Sequence, residues 1–207
     1  MKVLMINGSP HAEGCTFTAL SEVAVGLSDY DVASEIYWIG NKPVPGCIAC
    51  MRCKVTGKCI YDDGVNALNA RMAEFDGFVF GSPVYYAGAS GQVCSFLDRL
   101  FYSGGQEERD GKPGASVVSC RRGGATAAFE RLNMYFTIAN MPVISSQYWN
   151  QVHGFTPDDV RRDEEGLQTM RTLGRNMGYE LQALAAAREA GIKKPVREEP
   201  VHTNFIR

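Results

Sequence analysis

The sequence contains no apolar stretch near the roughly 20 residues that a membrane-spanning helix requires. It also lacks a long run of charge of one sign, because its 21 basic and 23 acidic side chains are interspersed and give a formal net charge of −2. Only the short apolar segment Val3–Ile6 follows Lys2, which is too little for a secretory signal. We therefore expect a cytoplasmic protein that has neither a membrane nor a nucleic acid as its partner.

A disulfide framework is a further feature that the sequence does not indicate. The seven cysteines are an odd number, no export signal precedes them, and four of them are crowded into residues 47–59. In a reducing compartment these thiols stay free, so they are available to ligate a metal or to take part in redox chemistry.

Short apolar runs alternate with amphipathic stretches, a pattern typical of parallel strands joined by crossover helices. The 207 residues, 45% of them hydrophobic, suffice for one α/β core. Strands are predicted at residues 3–6, 32–39, 78–80, 117–118 and 142–144. Helices are predicted near residues 17–27, 65–74 and 93–101, after Gly124, and from Thr156 to about Ala190 with interruptions at Gly166, Gly174 and Gly178. We predict a doubly wound three-layer α/β sandwich whose five parallel strands have the order 2-1-3-4-5.

The loop after the first predicted strand, residues 8–16, has the character of an anion site. It lacks both the G-x-x-x-x-G-K-[ST] and the G-x-G-x-x-G patterns, because no lysine precedes Thr16 and the close-approach glycines are missing. Backbone N–H groups at a helix start and neutral hydroxyls suit a single terminal phosphate, as on FMN. The candidate phosphate-binding residues are Ser9, His11, Gly14, Cys15 and Thr16, with Thr18 as a further hydroxyl. An ordinary βα turn is the alternative, and His11 either reaches the phosphate or faces water.

Two further loops follow predicted strands and therefore lie at the same edge of the sheet. In the first, Pro83 and Val84 precede two tyrosines, Tyr85 and Tyr86, whose rings could stack on a flat apolar cofactor. The alternative is a pair of tyrosines that simply packs a turn. The second loop contains the candidates Arg121, Gly123 and Gly124, together with Cys120 and Arg122. Glycines permit close approach to a ligand, and a guanidinium favours negative charge on it, although either arginine is equally well explained as a solvated side chain.

The remaining motif is a run of cysteines with the spacing C-x2-C-x2-C-x5-C, formed by Cys47, Cys50, Cys53 and Cys59. Closely spaced thiolates repel each other unless a cation compensates them, and the repeated spacing resembles that of bacterial ferredoxins. Gly57 can turn the chain before the last cysteine. Three interpretations stay open: a 4Fe–4S cluster, a structural zinc, and a loop of free thiols without metal.

Taken together, these motifs resemble those of the iron–sulfur flavoproteins, within the wider flavodoxin-like family of NADPH-dependent FMN reductases. The resemblance is carried by Gly-Ser-Pro after the first strand, by the cysteine run followed by Asp62-Asp63, and by Pro83-Val84-Tyr85 before a helix ending Phe96-Leu97-Asp98-Arg99. It implies FMN held by Ser9, the Gly14–Thr16 turn, residues 83–86 and the loop at residues 121–124. It also implies a cluster on the four cysteines. The chain departs from the family at His11, where many relatives have arginine, and at Cys15, where asparagine is frequent.

From these motifs we expect an FMN-dependent oxidoreductase that passes electrons from NAD(P)H, or through a cluster, to a small acceptor such as a flavin or quinone. A non-enzymatic electron carrier serving a partner protein is the first alternative, and a zinc-stabilised binding module is the second. The resemblance also implies a homodimer or homotetramer. No side chain is predicted to be an essential proton donor. The predicted domain covers residues 1–190, with a cysteine-rich insert at 41–63 and a tail at 191–207 that is either flexible or an arm gripping a neighbouring subunit.

Overall fold

The protein is described here by a computed structural model that covers residues 1–199 and 201–203. Its strands are β1 (Lys2–Asn7), β2 (Ala33–Trp38), β3 (Gly77–Tyr85), β4 (Gly88–Ala89), β5 (Gly114–Cys120) and β6 (Gln151–His153). Its helices are α1 (Cys15–Ser28), α2 (Cys53–Thr56), α3 (Gly64–Asn69), α4 (Gly91–Ser103), α5 (Ala125–Ile138), α6 (Pro157–Arg162) and α7 (Glu164–Glu189). A 3-10 turn at Met72–Glu74 follows α3, so the predicted helix at 65–74 is divided in two.

The parallel strands have the order β2-β1-β3-β5-β6, and the short β4 pairs antiparallel with the end of β3. Counted without β4, this is the predicted 2-1-3-4-5 order, and the flavodoxin-like α/β fold is confirmed. The central strand β1 is hydrogen-bonded on both sides, with Met5 opposite Ile36 of β2 and Val79 of β3. Strands covered on both faces are apolar throughout, which explains the unbroken run Val3–Ile6.

The sheet separates two apolar clusters, because successive side chains of a strand point to opposite faces. Leu4 and Ile6 belong to the cluster that contains residues of α3, α4 and α5, whereas Val3 and Met5 belong to the one formed with α1 and α7. All four of these side chains are fully buried. Helices on both faces of one parallel sheet give the three-layer arrangement.

The predicted fifth strand, residues 142–144, is wrong. Pro142 and Val143 are exposed, and that segment contributes only an isolated bridge between Val143 and Gly114. The edge strand is instead Gln151–His153, which pairs with the end of β5. Proline lacks the backbone N–H that a ladder requires, so an apolar run containing it is a poor strand.

The predicted interruptions of the last helix are also wrong. Thr156 and Asp159 do form the expected capping box of α6, and a break follows at Asp163. Helix α7 then runs unbroken through all three glycines. A Cβ at Gly174 would lie 2.2 Å from the carbonyl oxygen of Val23 in α1, so this glycine lets the two helices approach closely.

The described tail residues 191–199 and 201–203 form neither helix nor strand, and residues 200 and 204–207 of the predicted tail lie outside the described residues. Among the described helices, none combines the length and apolarity that crossing a membrane would require.

Candidate functional site

The loop between β1 and α1 is organised from inside by Asn7, the last residue of β1. Its fully buried side chain accepts the backbone N–H of Ser9 at 3.1 Å and donates to the carbonyl oxygen of Ala12 at 3.0 Å. The hydroxyl oxygen of Ser9 in turn accepts the N–H of His11 at 3.1 Å. These bonds fold the loop back over the start of α1, which has Gly14 as its N-cap and no side chain capping it. Uncapped N–H groups at a helix start attract an anion.

The five predicted phosphate-binding residues surround this helix start at different depths. Ser9 and Thr16 are buried, Gly14 and Cys15 are half-buried, and His11 is exposed. Burial raises the pKa of the Cys15 thiol, so Cys15 stays neutral and does not oppose an anion beside it. The hydroxyl of Thr18 donates to the carbonyl oxygen of Gly14 and is already engaged within the helix.

The hairpin formed by β3 and β4 carries the second predicted segment. Pro83 and Val84 are half-buried, while Tyr85 and Tyr86 are exposed. Tyr85 pairs with Gly88, so the turn consists of Tyr86 and Ala87, with φ angles of 49° and 59°. Both residues therefore adopt the left-handed conformation that a tight two-residue hairpin turn demands, without a glycine to ease it. The turn leaves the ring of Tyr86 exposed to solvent.

The loop between β5 and α5 contains the third predicted segment of the site. Cys120 is buried, whereas Arg121 and Gly123 are exposed. Gly124, with φ of 91°, is the N-cap of α5, and no side chain caps that helix either. A Cβ at Gly124 would lie 2.7 Å from the Cα of Ala87, so this glycine permits close contact with the hairpin turn rather than open space for a ligand. Gly123 faces open space.

Hydrogen bonds join these loops into one rim at the carboxyl ends of β1, β3 and β5. The N–H of Gly8 donates to the carbonyl oxygen of Gly81 at 2.8 Å, and the Ser90 hydroxyl donates to the carbonyl oxygen of Gly8 at 2.9 Å. The hydroxyls of Thr16 and Ser119 form a further bond. The structure thus brings three predicted segments to the same edge of the sheet, where doubly wound folds bind ligands. They are the phosphate loop (residues 8–16), the hairpin of β3 and β4, and the arginine–glycine loop (residues 121–124).

Three residues that support this rim were not singled out from the sequence. They are Asn7, Ser90 and Trp38, whose indole N–H donates to the carbonyl oxygen of Ser9 at 2.8 Å. Asn7 had a detectable signal, because a buried polar residue that ends an apolar strand must find partners in the loop that follows. Trp38 had no comparable signal, since its contact with Ser9 depends on how β2 pairs with β1.

The four motif cysteines lie beside α4, in the segment between β2 and α3, and their cavity is also lined by Arg99, Tyr102 and Ser103 of α4. Cys47 and Cys50 are exposed, Cys53 and Cys59 are half-buried, and all four line one small cavity of about 20 Å³. The left-handed Gly57, with φ of 70°, ends α2 and turns the chain towards Cys59, as predicted. Over residues 1–199 and 201–203, no three histidine, cysteine, aspartate or glutamate side chains are drawn together closely enough to hold a metal ion. The donor set, four cysteines that line one cavity, fits a thiolate-ligated group.

Cys59 is the most firmly placed of these thiols. Its backbone N–H donates to the side-chain oxygen of Asn66 at 2.9 Å, and the amide of Asn66 donates back to the Cys59 carbonyl at 3.0 Å. The buried guanidinium of Arg99 donates to the Cys59 sulfur, with 3.2 Å between Nε and Sγ. Arg99 also forms a bidentate ion pair with the carboxylate of Asp63. Neither Arg99 nor Asn66 was assigned a role from the sequence.

Comparison with known proteins relates this arrangement to flavoproteins. Residues 1–156 match the family described as NADPH-dependent FMN reductase. An iron–sulfur flavoprotein of Methanocaldococcus jannaschii is 32% identical over 184 residues, which cover 86% of this chain and 95% of that protein. Among solved structures, a flavodoxin from the domain Archaea has a TM-score of 0.60 at 16% identity, over 88% of this chain and 99% of its own. An NAD(P)H:quinone oxidoreductase of Methanothermobacter marburgensis has a TM-score of 0.66 at 15% identity, over 86% and 96% of the two chains.

Proposed function

Since the chain belongs to the NADPH-dependent FMN reductase family, and is therefore a flavoprotein oxidoreductase, we propose that it transfers electrons from NAD(P)H to a small acceptor such as a quinone or a flavin. FMN, when bound, supplies the chemistry that accepts two electrons from a nicotinamide. In the overall reaction NAD(P)H gives up two electrons and one proton, and the acceptor gains both electrons together with that proton and a second one from water. The quinone oxidoreductase with the same fold supports this acceptor class.

The observation that carries this proposal is the uncapped start of α1. A terminal phosphate placed there would receive the N–H groups of the first turn and the hydroxyl of Ser9, which is free to donate because its oxygen only accepts from His11. No lysine or arginine of the loop is needed, which suits one phosphate monoester better than a di- or triphosphate. The exposed His11 would remain at the edge of the site.

We assign the hairpin and the arginine–glycine loop to the ring of the cofactor. The half-buried Pro83 and Val84 provide an apolar wall and Tyr85 and Tyr86 an aromatic edge, while the backbone around Gly123 is open to polar atoms of the ring. The Arg121 guanidinium is exposed at the same rim and would stabilise negative charge there. We assign no side chain as an essential proton donor, because water reaches the rim.

We further propose that Cys47, Cys50, Cys53 and Cys59 hold a 4Fe–4S cluster, which when bound would supply one-electron transfer. The shared cavity and the similarity to an iron–sulfur flavoprotein support this assignment. All seven cysteines lie in the described part of the chain and are free, which accords with a cytoplasmic location. A homodimer or homotetramer is proposed from the family alone.

The first experiment measures the absorbance spectrum and the FMN, iron, sulfide and zinc contents of anaerobically purified protein. We expect FMN with iron and sulfide. Zinc in place of iron would overturn the cluster, and an absence of FMN even with excess cofactor would overturn the whole proposal.

The variant Ser9→Asp tests the phosphate position. Aspartate can still accept the His11 N–H, so the loop should keep its fold, but its carboxylate would repel the phosphate. We expect a loss of FMN affinity of at least tenfold by fluorescence titration. Ser145→Asp adds the same charge on an exposed loop before β6, away from the rim, and should leave the affinity unchanged. Undiminished affinity in Ser9→Asp would contradict the assignment.

A second candidate function, an electron carrier for a partner protein, is favoured by the exposure of Cys47 and Cys50 at the surface. Steady-state oxidation of NAD(P)H with quinones or free flavins separates the two functions. Turnover supports the reductase, and bound FMN that NAD(P)H cannot reduce supports the carrier.

A further inference from the structure

Arg99 is a buried cation whose side-chain donors all point into the cysteine segment. It lies in the middle of α4 and is only 1% exposed. A guanidinium away from water is costly unless each donor finds an acceptor. Here the partners are the two carboxylate oxygens of Asp63 at 2.7 and 2.8 Å, the carbonyl oxygens of Tyr61 and Pro45, and the sulfur of Cys59. The ring of Tyr61 also lies against the guanidinium, 5.0 Å from its centre.

Cys59 consequently differs from the other thiols of the motif. Its sulfur accepts an N–H from a charged side chain, whereas the Cys53 thiol is itself a weak donor to the carbonyl oxygen of Tyr102, 3.9 Å away. Cys47 and Cys50 are exposed to solvent. The protein therefore provides one sulfur of the motif with a fixed, charge-assisted donor.

A donor of this kind has a defined electronic effect on a thiolate that ligates a metal cluster. It withdraws electron density from the sulfur and stabilises the extra negative charge of the reduced state, and hydrogen bonds to sulfur are among the factors that set cluster potentials. The carboxylate of Asp63 acts in the opposite direction, since it places a negative charge on the far side of the same guanidinium.

We propose that Arg99 is a positioning residue that, through its Nε–H bond to Cys59, raises the reduction potential of the cluster held by the four cysteines, while Asp63 orients Arg99 and moderates its charge. This inference rests on the proposed iron–sulfur function. A purely structural role would be different: Arg99 would only tie the cysteine segment to α4, and removing either partner would loosen the site in the same way.

The test is a potentiometric titration of the cluster, followed by electron paramagnetic resonance, in wild type and two variants with opposite expected effects. Arg99→Lys removes the planar guanidinium and with it the Nε–H bond to the Cys59 sulfur. The ratio of reduced to oxidised cluster at a fixed ambient potential should therefore fall about tenfold, equivalent to about 59 mV for one electron. In Asp63→Asn the donor to Cys59 remains without its counter-charge, and the same ratio should rise. Arg131→Lys is the matched control, because Arg131 forms an exposed ion pair with Asp98 and contacts no cysteine of the motif; it should leave the ratio unchanged.

Iron and sulfide contents and circular dichroism accompany each titration. If Arg99→Lys does not fold or loses its iron, the test rests on Asp63→Asn alone. A ratio of reduced to oxidised cluster that is unchanged or lower in Asp63→Asn then overturns the inference. Shifts of the same sign in both variants would assign Arg99 a structural role and overturn it as well. If the wild type holds iron but neither variant changes the ratio, this inference fails and the cluster assignment stands. If the wild type holds no iron, the cluster assignment fails and this inference fails with it.

Discussion

The hydroxyl oxygens of Thr16 and Ser119 lie 2.9 Å apart and are both buried, so a single hydrogen bond joins the start of α1 to the end of β5. The two residues are far apart in the sequence, and their contact closes the rim between the phosphate loop and the arginine–glycine loop. Replacing either partner would leave the other buried hydroxyl without its bond.

We expect Thr16→Val and Ser119→Ala each to lower the free energy of unfolding by about 1–3 kcal/mol, the cost of one unsatisfied buried polar group. The double variant should lose less than the sum of the two, because neither hydroxyl is then left alone, with a coupling of about 1 kcal/mol. Urea unfolding of the four proteins measures this. Strictly additive losses would show that the two hydroxyls do not depend on each other.

The second prediction concerns acid stability and the side chain of Glu35 in β2. Its carboxylate accepts the Lys2 ammonium at 2.7 Å and two N–H groups of Arg71 at 2.8 and 2.9 Å. The hydrogen bonds from Arg71, and then those from Lys2, lower the pKa of Glu35 to about 2. Because the folded state binds the proton less readily than the unfolded chain, the stabilisation is complete above the ordinary glutamate pKa and is lost as the pH falls towards 2.

We therefore expect Glu35→Gln to be less stable than wild type by about 1 kcal/mol at neutral pH, the scale of partly exposed ion pairs. This difference should shrink between about pH 4.5 and pH 2, where the wild-type carboxylate becomes protonated. Denaturant unfolding at a series of pH values checks it, with Glu130→Gln as the control, because Glu130 is an exposed residue of α5. A difference that is constant over this range would contradict the ion-pair explanation.

The third prediction concerns the packing of α1 against α7. A Cβ at Gly174 would lie 2.2 Å from the Val23 carbonyl, which is backbone and cannot swing aside. Gly174→Ala should separate the helices and lower the free energy of unfolding by about 1–3 kcal/mol. Gly91→Ala places the same methyl group at the start of α4, where nothing lies within 4 Å, and should leave stability unchanged or slightly higher. Equal effects of the two substitutions would contradict the packing argument.

The fold could be predicted because its strong signals are local. The run Val3–Ile6 can only be buried on both faces, and the capping box from Thr156 to Asp159 marks a helix start within four residues. The edge strand Gln151–His153 could not be recognised in this way. It is three residues long, with one buried apolar side chain, and only its pairing with β5 makes it a strand.

The glycines of α7 show that a local signal can also predict the wrong structure. Taken alone, Gly166, Gly174 and Gly178 weaken a helix, and the sequence therefore predicted interruptions. In the structure Gly174 faces α1, and a Cβ at Gly178 would lie 2.7 Å from that of Tyr30 just beyond the end of α1. Burial against a neighbour outweighs the intrinsic preference, and this compensation appears only once the partner helix is in place.

The location of the candidate site could be predicted from the sequence, but most of its individual hydrogen bonds could not. Topology alone brings the loops after β1, β3 and β5 to one edge of the sheet, which the sequence could indicate. The bond from Trp38 to Ser9 and that from Arg99 to Cys59 join residues 29 and 40 positions apart. Such partners follow from strand register and helix orientation, which no single-sequence pattern contains.

The close approach of α1 and α7 bears on how the protein is made. Synthesis proceeds from the amino terminus, so α1 leaves the ribosome long before the helix that contains Gly174 exists. Until then the apolar side chains of Val23 and Leu27, fully buried in the finished fold, lack the residues of α7 that cover them. A nascent chain interrupted before residue 164 would therefore present this face to chaperones and proteases.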